Sequence, residues 1–217
     1  MKKMILGVAF LLGAWALFAQ EAVIREIRGT VEVKAPDAAA WTPASRGQAI
    51  ALNTFISTGF KSSALVVIGN STLTVQPLTR LSLEEIARAE GGEKVDVNLR
   101  TGRIRANVKP PVGGKIDFTV RSPSATASVR GTVFEFNGTQ LQVDEGRVHL
   151  AGSGGNGTYV GAGKLARTDI ESGRTASAAE TVKEELALPV PAGVDSAPAI
   201  KAKPPLTGEI DAGFEWK

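Results

Sequence analysis

The stretch 116–136, IDFTVRSPSATASVRGTVFEF, alternates apolar and polar residues on both sides of a Ser-Pro break. Period-two alternation is what a half-buried β-strand requires, and it is incompatible with a helix that must bury one stripe. Taken as one strand, Val129, Gly131 and Val133 point to one face, and Arg130, Thr132, Phe134 and Phe136 to the other. A guanidinium beside two aromatics on a central strand needs carbonyls or a carboxylate to satisfy its donors. Arg130 is therefore expected to be a structural arginine, with Gly131 beside it marking a bulge or a close backbone approach.

The same alternation recurs along the chain. It is present in Val23-Ile24-Arg25-Glu26-Ile27-Arg28-Gly29-Thr30-Val31-Glu32-Val33, with Gly29 as a local kink, and in Lys94-Val95-Asp96-Val97-Asn98-Leu99-Arg100. Ser63–Ile68 and Ser71–Val75 flank Gly69-Asn70, a two-residue signal for a hairpin with a primed turn. Leu81-Ser82-Leu83-Glu84-Glu85-Ile86 fits either a strand or one helical turn. Thr158-Tyr159-Val160 and Lys164-Leu165-Ala166 read as a last strand pair. The segments around Gly29, Gly102 and Gly146 share an apolar, glycine, apolar cadence at irregular spacing, which suggests one hairpin geometry used repeatedly rather than a regular array. The fold class is all-β, and period and spacing alone do not choose between a sandwich and a solenoid.

Three segments in order carry a family resemblance. Ser122-Pro123-Ser124-Ala125-Thr126-Ala127-Ser128-Val129-Arg130-Gly131-Thr132-Val133-Phe134-Glu135-Phe136 resembles the signature strand pair of the FecR domain family. Ile56-Ser57-Thr58-Gly59-Phe60-Lys61-Ser62-Ser63-Ala64 followed by Leu65-Val66-Val67-Ile68-Gly69-Asn70-Ser71-Thr72-Leu73 resembles its other recurrent segment, upstream, and Val143-Asp144-Glu145-Gly146-Arg147-Val148 its closing strand. The resemblance covers roughly residues 30–166 and implies a twisted, solenoid-like, two-layer arrangement of short β-strands. It marks Thr58, Gly59, Val129, Arg130, Gly131, Thr132, Phe134 and Gly146 as motif residues with a structural role. It also brings the activity of founding members, which pass an iron-uptake signal from an outer-membrane receptor to a cytoplasmic sigma factor.

Lys2 and Lys3 precede an apolar run over residues 4–18 that ends in Leu17-Phe18-Ala19-Gln20, the pattern of a signal peptide over residues 1–19. The protein is thus expected to be exported, to the periplasm or cell surface, and to touch the membrane only through that segment if it stays uncleaved. Residues 22–172 form the expected β domain. Residues 173–217 read as an alanine- and proline-rich, mostly disordered tail, with the composition of a short helix at 178–188 ended by Pro189. Removing Lys2 and Lys3 from 25 basic residues leaves 23 against 22 acidic, which gives no electrostatic footprint for nucleic acid.

No catalytic, cofactor or metal site emerges. The chain has no cysteine and one histidine, His149, half exposed on a strand, so neither thiolate chemistry nor a histidine metal cluster can be assembled. A triad of His149, Asp144 and a serine lacks the serine elbow. The glycines before Lys164 miss the phosphate-loop pattern, since Thr158 and Leu165 stand where glycine and a hydroxyl are needed, and a hairpin turn explains them better. The adjacent pairs Glu84-Glu85 and Asp144-Glu145 should diverge to opposite strand faces. Asn70, Asn137 and Asn156 match the glycosylation sequon but sit where turns need asparagine. The expected function is a non-catalytic binding or scaffold module of the cell envelope, engaging an envelope protein or glycan through a sheet face or strand edge. Transmembrane signalling of the iron-uptake regulator type is the alternative, and an envelope hydrolase built from distant carboxylates is a third possibility.

Overall fold

The computed structural model describes residues 22–89 and 91–177, so the signal-peptide and tail-helix expectations fall outside the described residues. The described residues contain strands and no helix, arranged as two nine-stranded sheets, A and B, that enclose one core. The chain climbs both sheets together. β1 (Ala22–Arg28) lies in sheet A, and β2 (Val31–Lys34) and β3 (Thr42–Pro43) in B; β4 (Ala49–Ile50) returns to A and β5 (Phe55–Thr58) to B. Hairpin β6 (Ser63–Ile68) and β7 (Ser71–Val75) is in A, β8 (Arg80–Ala89) and β9 (Gly92–Thr101) in B, and β10 (Ile104–Asn107) in A. Then come β11 (Lys115–Arg121) and β12 (Ala125–Val129) in B, β13 (Val133–Phe136) and β14 (Gln140–Glu145) in A, β15 (Arg147–Gly152) and β16 (Gly157–Gly161) in B, and β17 (Lys164–Thr168) and β18 (Thr175–Ser177) in A.

This order makes the arrangement solenoid-like: β3 and β4 form one edge of each layer, and from β5 onward each new strand adds on the side away from them. Every described strand pair is antiparallel except β9 and β11, which run parallel because β10 crosses the other layer between them. The Gly69-Asn70 hairpin forms as the sequence predicts, with Ile68 opposite Ser71. Only the first turn residue, Gly69, has positive φ, the signature of a type II′ rather than a type I′ turn. The core comes from alternate residues of both layers, with Phe118 of β11 facing sheet A and Phe134 and Phe136 of β13 facing sheet B, all three buried.

Four expectations are corrected. Residues 129–136 are not one strand: the chain leaves sheet B after Val129, turns through Arg130-Gly131-Thr132 with Gly131 at φ +86°, and enters sheet A at Val133. Val129, Phe134 and Phe136 therefore all face the core, and Arg130 is exposed instead of lying against aromatics. The recurring glycine cadence marks crossings between sheets and not hairpins, with Gly29, Gly102 and Gly146 at φ +70°, +90° and +82°. β16 and β17 do not pair with each other. They lie in opposite sheets, so the glycines before Lys164 form another crossing, with Gly163 at φ +72°. Finally, a bulge between Leu83 and Glu85 turns both Glu84 and Glu85 outward, where they accept bonds from Asn98 and Lys94.

Successive crossings stack and bond to one another. The Gly59 amide donates to the Thr30 carbonyl at 2.9 Å, and the Leu78 amide to the Gly59 carbonyl at 3.2 Å. Buried hydroxyls complete the corners. Thr58 Oγ1 donates to the Gln76 carbonyl at 2.6 Å and accepts the Thr79 amide at 3.0 Å. Thr79 Oγ1 accepts the Arg103 amide at 2.9 Å, and Ser62 Oγ accepts the Thr30 amide at 2.8 Å. Thr132 departs from this pattern: it is 3% exposed, and its Oγ1 has no hydrogen-bond partner among the described residues. Two isosteric changes should therefore differ in sign. Thr58→Val leaves a buried amide unpaired and is expected to cost about 1–3 kcal/mol, whereas Thr132→Val removes an unsatisfied hydroxyl and should be neutral or stabilising. Urea unfolding of the two variants checks this, and a loss at Thr132 matching that at Thr58 would refute it.

Candidate interaction groove on the outer face of sheet B

The motif residues fall into two groups. Thr58 and Gly59 form the corner between β5 and β6. Val129, Arg130, Gly131, Thr132 and Phe134 form the corner between β12 and β13, and Gly146 packs beside it. A Cβ on Gly146 would lie 2.6 Å from Thr132 Cγ2 and 2.9 Å from the Gly131 carbonyl oxygen, so glycine is needed there both for φ and for space. All of these but Arg130 serve the fold. Arg130 alone projects into solvent from a fixed corner, and it makes no ion pair or hydrogen bond with any described residue.

Around Arg130 the outer face of sheet B is concave. A groove of about 920 Å³ is lined by Asp117, Ser128, Arg130, Arg147, His149 and Tyr159. A second groove of about 420 Å³ is lined by Lys94, Lys115 and Ile116 among others and shares Asp117 and Arg130 with the first, so Arg130 stands between them. Strand register explains the lining. Ser128 is opposite His149 and His149 opposite Tyr159, which makes one outward row across β12, β15 and β16. Two residues further along, Arg147 is opposite Gly161, and Arg130, one residue past the last pair of Val129 with Val148 and with Phe118, comes between Arg147 and Asp117. Like charges in such a row repel. Arg147, too, has no ion pair among the described residues, whereas Lys94, Arg103, Arg105 and Arg121 are paired with Glu85, Glu135, Asp144 and Asp96.

His149 is half-buried, as its strand position predicts. Its ring lies 4.8 Å from that of Tyr159, and it passes over Gly157, where a Cβ would meet Nε2 at 2.5 Å. Asp144 bonds Arg105 on the outer face of sheet A, while His149 projects from sheet B, so a triad containing both cannot form. Among the described residues no three His, Asp or Glu side chains are grouped to hold a metal ion. Arg100 is separated from Arg103 and Arg105 because β9 and β10 lie in different sheets. It stacks 5.2 Å over Phe55, as Arg80 does 5.1 Å over Trp41. The three sequon asparagines are at turns, and Asn137 Oδ1 caps its own by accepting the Gln140 amide at 2.8 Å.

Glu93, which also lines the second groove, is buried against the Gly69 turn, and burial raises its carboxyl above the ordinary value against the opposing charge of Arg88. A raised folded-state value means that this group's contribution to stability is fully present below the unfolded pKa. It is lost as pH rises through the folded one. The advantage of Glu93→Gln over the wild type should therefore grow from about pH 4 to pH 7, measured by denaturation midpoints. An advantage that shrinks over that range would refute the assignment.

Several residues of this groove were missed by sequence pattern. Arg147 and Tyr159 are ordinary outward positions of separate strands, and only the sheet order brings them into one groove with Arg130.

The fold and groove define an all-β, two-layer domain with Arg130 and Arg147 in a groove on one outer face. Residues 54–149 match the model of the FecR protein family, from β5 into β15. Two crystal structures of a candidate anti-sigma factor from Parabacteroides distasonis resemble it, with TM-scores of 0.47 and 0.48 and 16% and 17% identity. The likeness covers 61% and 62% of this chain and 64% and 65% of theirs, so the chain spans less than two thirds of the length of those relatives. No curated protein matches the sequence.

Proposed function

We propose that this protein is a non-catalytic binding module of the cell envelope, exported by residues 1–19, and that it receives its partner in the groove at Arg130. The observation that carries this reading is the placement of Arg130 and Arg147 in one groove. Two exposed guanidiniums line one groove on a rigid sheet face and neither is in an ion pair among the described residues, with Asp117 the one carboxylate among the groove's lining residues; the excess positive charge costs stability unless a ligand compensates it. Support comes also from the acidic side chains, four of which are engaged in ion pairs spread over two outer faces rather than converging on one cleft. The FecR domain favours a signalling-related version of the same role, in which occupancy of the groove is relayed to a membrane partner.

A photoreactive residue at Ser128 in the full-length protein, irradiated in intact cells, tests this. The expected result is a defined crosslinked envelope species that disappears when Arg130→Glu and Arg147→Glu are combined. Turnover of a glycan by the purified protein, or crosslinks indifferent to both arginines, would overturn it. Deleting a genuine signalling partner should in addition change sigma-dependent transcription, whereas a scaffold partner should leave it unaltered.

A further inference from the structure

The groove opens on one side to the edge of sheet B, and that edge has an unusual composition. β16 is Gly157-Thr158-Tyr159-Val160-Gly161: uncharged, free of proline and the last strand of its sheet among the described residues. The opposite edge of sheet B is the two-residue β3, which contains Pro43 and is poorly suited to accept another strand. The Gly152 amide donates to the Asn156 carbonyl at 2.9 Å, which makes that pair hydrogen-bonded. In the β15–β16 register the pairs of His149 with Tyr159 and Arg147 with Gly161 are then the non-bonded ones. The amides and carbonyls of Tyr159 and Gly161 consequently point away from β15, towards the open edge.

Gly161 is the second element. It lies in the outward row after Arg130 and Arg147, and a Cβ built on it would meet nothing within 4 Å. The row therefore has a gap between Arg147 and the edge. A residue on an added strand opposite Gly161 would sit two strand spacings from Arg147, about 9.6 Å, within the joint reach of a glutamate and an arginine. Tyr159 flanks that gap with a ring that is 71% exposed. Residues 159 and 161 lie beyond the span matched by the family model.

We propose that β16 is a docking edge for an extended, acidic peptide segment of a partner protein. The segment adds as a tenth strand of sheet B, bonds to the outward main-chain groups of Tyr159 and Gly161, and passes a carboxylate across Gly161 to Arg147 and Arg130. This deepens the binding-module reading and rests on it. Main-chain pairing supplies affinity, and the carboxylate supplies register and selectivity.

Fluorescence anisotropy with the full chain and a labelled peptide alternating threonine and glutamate provides the test. Saturable binding is expected, weakened about tenfold or more by Arg147→Glu, by glutamine in place of glutamate in the peptide, and by N-methylation of alternate peptide amides. Gly161→Val, which fills the gap without a steric conflict, should weaken it similarly. Equal binding of the glutamine peptide would overturn the proposal, as would undiminished binding of the N-methylated one, which would reduce the contact to charge alone. Arg147-dependent binding of phosphatidylglycerol vesicles in place of the peptide, or a dimer in sedimentation that excludes it, would likewise overturn it. If the peptide fails while Arg130- and Arg147-dependent crosslinks persist in cells, the acidic strand is wrong and the binding module stands. Loss of both removes both.

Discussion

Gly102→Ala is expected to lower the unfolding free energy by about 3 kcal/mol or more, a large share of what holds a domain of this size together. Two effects combine. Gly102 has φ +90°, where an L side chain is strained by about 1–2 kcal/mol. A Cβ there would also lie 2.4 Å from Thr79 Cα and 2.7 Å from the Leu78 carbonyl oxygen. Both are backbone atoms of the neighbouring corner, so no rotamer change relieves the clash. Overpacking of this kind costs about 1–3 kcal/mol more. Gly47→Ala separates the two contributions, because Gly47 has φ +82° but open space around it, and should show only the smaller loss. Gly29→Ala should be partly rescued by shortening Ser62, whose Oγ would be 2.4 Å from the new Cβ. Nothing comparable can rescue Gly102. Equal effects at Gly47 and Gly102, measured by urea denaturation, would show that the stacked corners do not set the stability of the fold.

The importance of these corners explains what the sequence could and could not disclose. Strand positions were legible because alternation is a local property, and the Gly69-Asn70 turn because its chemistry is local too. Sheet membership is not local. Val95, Val97 and Leu99 face the core from odd positions, and Ile104 and Ala106 from even ones, with Gly102 between them. The same change of parity separates Ala125, Ala127 and Val129 from Phe134 and Phe136 across Gly131, and Leu141 and Val143 from Val148 and Leu150 across Gly146. The hairpins at Gly69 and Gly138 show the same slip and the crossing at Gly163 shows none, so parity does not separate a crossing from a hairpin, and the corner at Gly131 has no local mark of its own. Reading through it as one strand placed Arg130 beside Phe134. The groove was less legible, because its wall is set by which strands adjoin, and the parallel pairing of β9 with β11 around β10 leaves no local signal.

Gly152→Ala is expected to act at one end of the molecule only, and there strongly. Its φ is not in the positive range, so conformational strain is absent. Yet a Cβ would lie 2.0 Å from the Gly173 carbonyl oxygen and 2.9 Å from Thr168 Cγ2. That close approach joins the β15–β16 turn to the segment before β18, with the Gly154 amide donating to Gly173 at 3.1 Å. Forcing it apart should cost about 1–3 kcal/mol. In a stack where each rung touches mainly its neighbours, the loss should stay local. Amide exchange should accelerate in β16, β17 and β18, while β6 and β7 keep their protection. Since β16 forms the open side of the groove, the acidic peptide should bind more weakly although Arg130 and Arg147 are untouched. Uniform loss of protection across both sheets would mean that the domain unfolds as one cooperative unit, and the groove could then not be loosened independently of its scaffold.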